Sequence, residues 1–407
     1  MILASNDIIL SEVQQRVVDH DHGHLRIVAC PGSGKTEVVS RRVAELIKKG
    51  VDPATIVAFT FTEKAAEGLK LRIRKRLEED CKEKSDFGDM YIGTIDSFCL
   101  HLLKQLKPEY RAFEVLDSAR RIAFIDRWYY RMGFRDLQEE RMGKWRVMKM
   151  FCDSSDRAMM ERIDMSQITN TAFVTCFGEY VKKLKEEKFF DFTSIIFSLL
   201  ELLQSDKSAL KQLGSTVKHV VFDEYQDVNK LQEELLEYLS RGADSVCVVG
   251  DDDQNIFQWR GSDVEYIINF PTTYEKYGVT TEQLDVNYRA TDGLVEVANR
   301  FIQNNTFRVE KNMRAYEKQN RTFEDGDIVQ HHFDDDRAEF DFILQNIQNL
   351  INTDFTDKHG ETYGLSYRDM AVLVSSNEDA ARIIRYFEEH DIPCIADSGT
   401  SVFDRPL

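Results

Sequence analysis

A glycine-rich loop between an apolar run and an amphipathic stretch constrains the fold of this chain most. Residues 25–30 are mostly apolar, and residues 29–36 read Ala-Cys-Pro-Gly-Ser-Gly-Lys-Thr. After the loop, apolar side chains recur at helical spacing over residues 39–47. A strand, a glycine-rich loop and a helix in this order are the context that a P-loop needs. The sequence therefore predicts an α/β fold, a P-loop NTPase domain around a parallel sheet.

Each position of this loop has a predicted chemical role. Gly32 and Gly34 let backbone N–H groups curl around phosphate oxygens, and the following helix adds its positive end. We expect Lys35 to reach the β and γ phosphates and the Thr36 hydroxyl to bind Mg²⁺. The predicted cofactors are ATP and Mg²⁺. The candidate nucleotide contacts of the loop are Ala29, Cys30, Pro31, Gly32, Ser33, Gly34, Lys35 and Thr36.

Two further apolar runs end in polar residues that suit phosphate chemistry. Asp223 and Glu224 follow the run 217–222, and Gln254 follows the run 245–250. We expect Asp223 to hold Mg²⁺ through water and Glu224 to orient and deprotonate the attacking water. Gln254 is a candidate sensor of the γ phosphate. The alternative for the two acids is a helix N-cap pair.

The chain alternates between strand-like and helical stretches. Strands are predicted at 25–30, 55–61, 90–95, 217–222 and 245–250, and residues 98–213 have helical spacing. We therefore predict one discontinuous domain from 1–97 and 214–282, a helical insertion at 98–213, and a further α/β domain at 283–407. Within the last domain, helices are predicted at 338–351 and 379–390 and a buried strand at 370–374.

Composition limits the partners and the compartment. The net charge is −18, from 53 Lys and Arg against 71 Asp and Glu, so a polyanion needs a local basic patch. Scattered cysteines and the lack of a long apolar run predict a cytoplasmic protein without membrane contact. His20, His22 and His24 are predicted to lie in a polar surface loop and not at a metal site.

Taken together, these motifs resemble those of the superfamily 1 DNA helicases of the UvrD, Rep and PcrA group. The segments that carry the resemblance read Asp-Glu-Tyr-Gln-Asp at 223–227, Gly-Asp-Asp-Asp-Gln-Asn-Ile-Phe-Gln-Trp-Arg-Gly at 250–261 and Leu-Asp-Val-Asn-Tyr-Arg at 284–289. The resemblance implies a RecA-like core with a helical insertion and the first part of a second RecA-like domain. It also implies an ATP-dependent DNA helicase or translocase, moving 3′ to 5′, with a role in DNA repair.

The resemblance assigns roles around the nucleotide. It implies that Gln14 reads the adenine edge, that Tyr288 stacks on adenine and that Arg289 reaches the γ phosphate. A basic residue is common where this chain has Glu37, so adenine-side contacts are expected to draw on Arg41 or Arg42.

The resemblance also assigns contacts with single-stranded DNA. Aromatic side chains would stack on bases, since every base has a π-face; for Phe257 and Trp259 the alternative is core packing. A histidine is common where this chain has Asp96, and an acid there would repel phosphate. The candidate DNA-binding residues are Phe61, Thr62, Thr94, Ser97, Phe257, Trp259 and Arg260.

Two motifs that follow in the family are not found before Leu407. We therefore expect a partial motor that binds ATP and single-stranded or 3′-tailed duplex DNA without processive unwinding. One alternative is a nucleotide-dependent DNA-binding subunit that acts with a protein partner, such as a nuclease or repair factor. A small-molecule P-loop kinase is a third reading, and it would need a lid and an acceptor pocket in place of stacking aromatics.

Overall fold

The computed structural model describes residues 9–80, 88–138, 142–318, 321–357 and 360–395, apart from the side chains of residues 79, 80 and 260. The α-helices are α1 (Glu12–Asp19), α2 (Lys35–Lys48), α3 (Glu63–Asp80), α4 (Ile95–Leu106), α5 (Ser118–Trp128), α6 (Lys144–Met160), α7 (Thr171–Glu186), α8 (Phe192–Ser205), α9 (Lys207–Thr216), α10 (Lys230–Ser240), α11 (Glu265–Thr273), α12 (Asp292–Ile302), α13 (Asp336–Leu350) and α14 (Asn377–Glu389). The strands are β1 (Gly23–Ala29), β2 (Ile56–Phe59), β3 (Tyr91–Gly93), β4 (Glu114–Val115), β5 (Phe189–Phe190), β6 (His219–Phe222), β7 (Ser245–Gly250), β8 (Val279–Leu284), β9 (Val286–Asn287), β10 (Arg314–Ala315), β11 (Asp354–Thr356) and β12 (Thr362–Gly364).

The chain divides into two compact units. The first consists of the described parts of Met1–Asn287 and Phe301–Met313, and the second of those of Tyr288–Arg300 and Arg314–Leu407. A six-stranded sheet in the order β3-β2-β6-β7-β1-β8 forms the centre of the first unit. All of its ladders are parallel, which confirms the predicted α/β fold with a parallel sheet.

Side chains alternate between two hydrophobic cores, one on each face of this sheet. In β2, Ile56 faces the core formed with α1, α2 and α3, and Val57 faces the core formed with α4, α8 and α10. Val246 and Cys247 of β7 divide in the same way. Because successive residues of a strand point to opposite faces, a sheet covered on both sides requires the continuous apolar runs seen in the sequence.

The predicted helical stretch contributes to two cores. Helices α4, α8 and α9 pack on the core beside the sheet, while α5, α6 and α7 enclose a core of their own that includes Phe134 and Phe151. The latter core is rich in aromatic rings, and Phe134 and Phe151 meet edge to face at 4.6 Å. The domain limits at 97, 214 and 283 stay predictions.

The second unit is built around α13 and α14, which confirms the two helices predicted there. Leu344 and Ile347 of α13 pack against Ile383 and Phe387 of α14. The strand predicted at 370–374 is wrong, since these residues are not in a strand and Leu373 is 93% exposed. A buried strand needs hydrogen-bonding neighbours, and the described part of this unit places none beside it.

His24 also departs from the sequence-based prediction. It lies in β1, is 1% exposed and stacks on Tyr277 with ring centroids 4.6 Å apart, so its assignment to a surface loop is wrong. Burial lowers the pKa of His24 to about 4. Within the described ranges, none of the helices combines the length and the apolar character required to cross a membrane.

A buried carboxyl group on α10 should make stability depend on pH. Glu233 is 6% exposed and accepts hydrogen bonds from the hydroxyls of Tyr225 and Tyr274. Burial raises its pKa to about 7, so the folded state takes up a proton that the unfolded chain has already lost. The stability contributed by this proton is present at low pH and is lost as the pH rises through about 7.

We therefore expect Glu233→Gln, which mimics the protonated group, to flatten the fall in unfolding free energy between pH 5 and pH 8. Urea unfolding at each pH measures this, with the exposed Glu201→Gln as control. Parallel pH profiles for wild type and Glu233→Gln would contradict it.

Candidate functional site

The predicted site residues of the first unit converge at one edge of the sheet. Strand β1 pairs with β7 so that Val28 lies opposite Gly250, and β7 pairs with β6 so that Val248 lies opposite Phe222. Parallel strands bring their carboxyl ends to the same edge, where ligands of open α/β sheets bind. The glycine-rich loop, the acid pair and the segment that carries Gln254 therefore follow neighbouring strand ends.

The loop after β1 has a backbone shape that depends on glycine. Gly32 and Gly34 adopt φ angles of 66° and 86°, in the left-handed region that side chains disfavour. Helix α2 begins directly afterwards at Lys35, so its unpaired N–H groups and positive dipole end face the loop. The Ser33 hydroxyl oxygen is buried and has no hydrogen-bond partner among the described residues. These features fit a phosphate group.

Gln14 is attached to this loop from α1. It is 6% exposed; its Nε2 donates to the Ser33 carbonyl at 3.1 Å, and its Oε1 accepts from the Ser11 N–H at 2.9 Å. In these contacts Gln14 holds the glycine-rich loop. A role in reading adenine stays a prediction.

The acid pair, Asp223 and Glu224, directly follows β6. Lys35 Nζ is 3.3 Å from Glu224 Oε2. Burial, followed by the charge of Glu224, raises the pKa of Asp223 to about 6. Glu224 has a φ of 53° and makes no side-chain cap bond to the short 3₁₀ turn that follows, so the alternative of an N-cap pair fails for it. Strained backbone of this kind is concentrated at functional sites.

Gln226 joins two of the strand ends, and sequence reasoning missed it. This side chain is 2% exposed; its Nε2 donates to Glu224 Oε2 at 3.0 Å and its Oε1 accepts from the Asp251 N–H at 3.0 Å. A Cβ at Gly250 would lie 2.5 Å from Gln226 Oε1, so this approach requires glycine. Its place two residues after Glu224 was the only available signal.

Two expectations about basic residues near the loop are changed by the structure. Arg42 is 0% exposed and donates to the Val17 carbonyl and Ser245 Oγ, so the prediction that it serves adenine is wrong. Arg41 and Arg76 each lie 2.6 Å from Glu37. The carboxylate of Glu37 therefore pairs with both guanidinium groups and offsets one of their two positive charges.

Three predicted DNA-binding aromatics lie together on the surface of the first unit. The rings of Phe61 and Phe257 stack at 5.3 Å with an angle of 22°, and Trp259 follows 6.4 Å from Phe257. Phe61 is 41% exposed and Trp259 is 73% exposed. Core packing is therefore wrong for Trp259, while Phe257 is half-buried. The side chain of Arg260 lies outside the described residues.

The predicted hydroxyl contacts are engaged locally. Thr94 caps α4, and both Thr94 Oγ1 and Ser97 Oγ donate to Glu63 Oε1, at 3.1 and 3.2 Å. Thr62 Oγ1 accepts from the Ala65 N–H. The carboxylate of Glu63 would repel a phosphate group that approached the hydroxyls of Thr94 and Ser97. Their DNA contacts stay predictions.

A cavity of about 250 Å³ lies beside the aromatic rings. Phe61 and Phe257 form part of its lining, together with Phe192, Asp96 and Asp227. Burial raises the pKa of Asp96 and of Asp227 to about 6 in each case. Acids at this position favour uncharged or donor groups over phosphate, as expected for Asp96 from its sequence.

Tyr288 and Arg289 belong to the second unit. The Tyr288 ring lies 4.9 Å from that of Tyr316, and the Arg289 carbonyl accepts from Arg321 at 2.5 Å. Their predicted roles at adenine and the γ phosphate stay predictions.

Comparison with protein families agrees with this arrangement. The model of the UvrD/REP helicase N-terminal domain matches residues 10–275, and that of the UvrD-like helicase C-terminal domain matches residues 283–407. The chain belongs to the UvrD/REP helicase family. This family membership covers both compact units and confirms the resemblance.

Three similar proteins are each named ATP-dependent DNA helicase PcrA. The chain is 28% identical to an ATP-dependent DNA helicase PcrA of Leuconostoc citreum over 407 residues, covering 97% of this chain and 51% of that protein. It is 27% identical to the proteins of that name from Staphylococcus aureus strain Mu50, covering 96% and 51%, and from Staphylococcus epidermidis, covering 97% and 52%. The chain thus spans about half the length of these relatives.

Proposed function

We propose that this chain is the ATP-hydrolysing, single-stranded-DNA-binding part of a UvrD/REP-type helicase motor. The observation that carries the proposal is the meeting of a phosphate-binding loop, an acid pair and a row of open aromatic rings within one compact unit. We also propose that the complete motor moves 3′ to 5′ on the strand, as the family resemblance implies.

The residues at the sheet edge suit hydrolysis of the γ phosphate. The loop amides and Lys35 would hold the phosphate oxygens, while Thr36 and Asp223 would hold Mg²⁺, which supplies neutralisation of charge that develops on the phosphates. Glu224 lies 3.3 Å from Lys35, the residue proposed to contact the β and γ phosphates. Its carboxylate would orient that water and accept its proton. Gln254 is proposed to respond to the γ phosphate.

Asp223 gives the nucleotide site a predictable response to pH. Its pKa of about 6 means that protonation competes with Mg²⁺ binding below that pH. A bound cation would in turn favour the carboxylate.

The aromatic row suits a strand without sequence preference. Bases can stack on the exposed rings of Phe61 and Trp259 and beside the half-buried Phe257, whereas the formal charge of −18 gives no general attraction for DNA. The alternative of a small-molecule kinase gives these open rings no role. A DNA-binding subunit without turnover remains the competing proposal.

Steady-state ATP hydrolysis with and without a single-stranded oligonucleotide decides between them. A rise in turnover of at least about tenfold with the oligonucleotide supports a DNA-coupled ATPase. A change of this size is expected when bound DNA brings a catalytic group into its working position. Binding of both ligands without turnover would favour the subunit. Hydrolysis that ignores DNA would contradict both.

We expect Trp259→Ala to weaken binding of single-stranded DNA by about 1 to 3 kcal/mol, roughly 5- to 150-fold, because one stacking face is lost. Fluorescence anisotropy with a labelled oligo-dT measures the affinity. Ile256→Ala is the matched control, since Ile256 is also 73% exposed but has no π-face. Equal affinities for Trp259→Ala and Ile256→Ala would contradict the stacking role.

A further inference from the structure

The segment Phe301–Met313 has an unusual place in the chain. It belongs to the first compact unit, although the chain on either side, Tyr288–Arg300 and Arg314–Leu407, belongs to the second. Nothing in the sequence motifs singles it out. Its two cations, Arg308 and Lys311, contact the aspartates that follow β7 and precede Gln254.

Lys311 pairs with three consecutive aspartates. Its Nζ lies 3.1 Å from Asp251 Oδ1 and 2.8 Å from Asp253 Oδ2, and it also pairs with Asp252. The Lys311 side chain is 3% exposed, and those of Asp251 and Asp252 are 0% exposed. A buried row of carboxylates is unfavourable without such a cation.

Arg308 and the backbone complete this arrangement. Arg308 donates from Nε and a terminal nitrogen to the two oxygens of Asp253, at 2.8 and 2.5 Å. The Val309 N–H donates to Asp252 Oδ2 at 2.7 Å. A bidentate guanidinium pair fixes orientation as well as charge. We call Arg308, Lys311 and the three aspartates the clamp.

The clamp reaches Gln254 through one carboxylate. Asp251 Oδ1 contacts Lys311, while Asp251 Oδ2 accepts from Gln254 Nε2 at 2.7 Å. Asp251 also orders the backbone of the turn, because its Oδ1 accepts from the Asp253 N–H and its carbonyl from the Gln254 N–H. A change at Lys311 is therefore transmitted to Gln254 within two contacts.

We propose that Lys311, supported by Arg308, is a positioning residue that holds Gln254 in its working orientation through Asp251. This inference rests on the proposed ATPase function for its consequence, since Gln254 is the proposed γ-phosphate sensor. All residues of the clamp belong to the first unit.

A double-mutant cycle on DNA-stimulated ATP turnover tests the path through Gln254. We expect Lys311→Met to lower kcat about tenfold or more with KM changed less than about threefold, and to have less than about a twofold effect in a Gln254→Ala background. Arg157→Met is the control, because it removes a cation from an exposed pair with Glu161. The same fold loss in both backgrounds would overturn the proposal.

Hydrogen exchange tests the positioning of Gln254 by Lys311 without ATP turnover. If the chain did not hydrolyse ATP, the proposed ATPase function would be refuted, but the positioning could still be tested in this way. We expect amides of residues 251–256 to exchange faster in Lys311→Met, while those of 32–36 keep their wild-type rates. A second variant, Lys311→Met with Asp252→Asn, removes one carboxylate charge together with the cation and guards against unfolding. Faster exchange in this variant also supports positioning by Lys311. Wild-type exchange in either variant would overturn it.

Discussion

Replacing Glu224 by glutamine is expected to lower ATP turnover by about 10²- to 10⁴-fold, the usual contribution of a positioned general base. The amide keeps the size of the side chain and still accepts a hydrogen bond from Gln226, whose Nε2 lies 3.0 Å from Glu224 Oε2. It cannot accept the proton of the attacking water. Nucleotide affinity should therefore change only a few-fold, which separates a chemical defect from a binding defect.

Single-turnover hydrolysis and binding of a fluorescent ATP analogue measure the two effects. Glu37→Gln is a matched control, since Glu37 also lies near the loop but accepts from Arg41 and Arg76. If Glu224→Gln hydrolysed ATP at the wild-type rate, Glu224 would not be the base, and Asp227, whose pKa burial raises to about 6, would become the next candidate.

Arg121→Met is expected to lower the free energy of unfolding by about 3 to 5 kcal/mol, because it leaves buried carboxylates without their cation. Arg121 is 9% exposed and lies 2.7 Å from Asp156 and 3.2 Å from Asp191, which is itself 2% exposed. It also donates to Tyr180 and Ser155 within the region of α5, α6 and α7. Urea unfolding followed by circular dichroism measures the loss.

The neighbouring Arg120→Met provides the control. Arg120 is 48% exposed and pairs with the exposed Glu114, a surface contact worth about 0 to 1 kcal/mol. Adding Asp191→Asn to Arg121→Met should restore part of the stability, because it removes the unpaired charge. Similar losses for Arg120→Met and Arg121→Met would show that the buried network contributes nothing specific.

Local patterns predicted much of the core and the site. The runs at 217–222 and 245–250 correspond to β6 and β7, because a strand buried on both faces is mostly apolar, with the polar His219 and Ser245 at the starts of these two strands. The polar residues that follow them come to the edge where ligands bind, since parallel neighbours end together. These features depend only on period, length and the chemistry of neighbouring residues.

Helix α3 shows what helical periodicity reveals and what it does not. Leu69 and Ile73 recur at helical spacing, and they are 1% and 0% exposed. Arg76 of the same helix pairs with Glu37 from α2. Periodicity gives the face on which a residue lies, but not the partner that another element brings to that face.

The P-loop, the acid pair, the parallel sheet and the family could be predicted from the sequence, because short runs of consecutive residues carry these signals. The burial of His24 and Arg42, the bridge through Gln226 and the contacts of Lys311 with the three aspartates became visible only in the folded chain. The reason is physical: a polar group becomes buried only where distant parts of the chain supply its packing and charge partners. Lys311 and Asp251 are 60 residues apart in the chain, and no local pattern records that they meet.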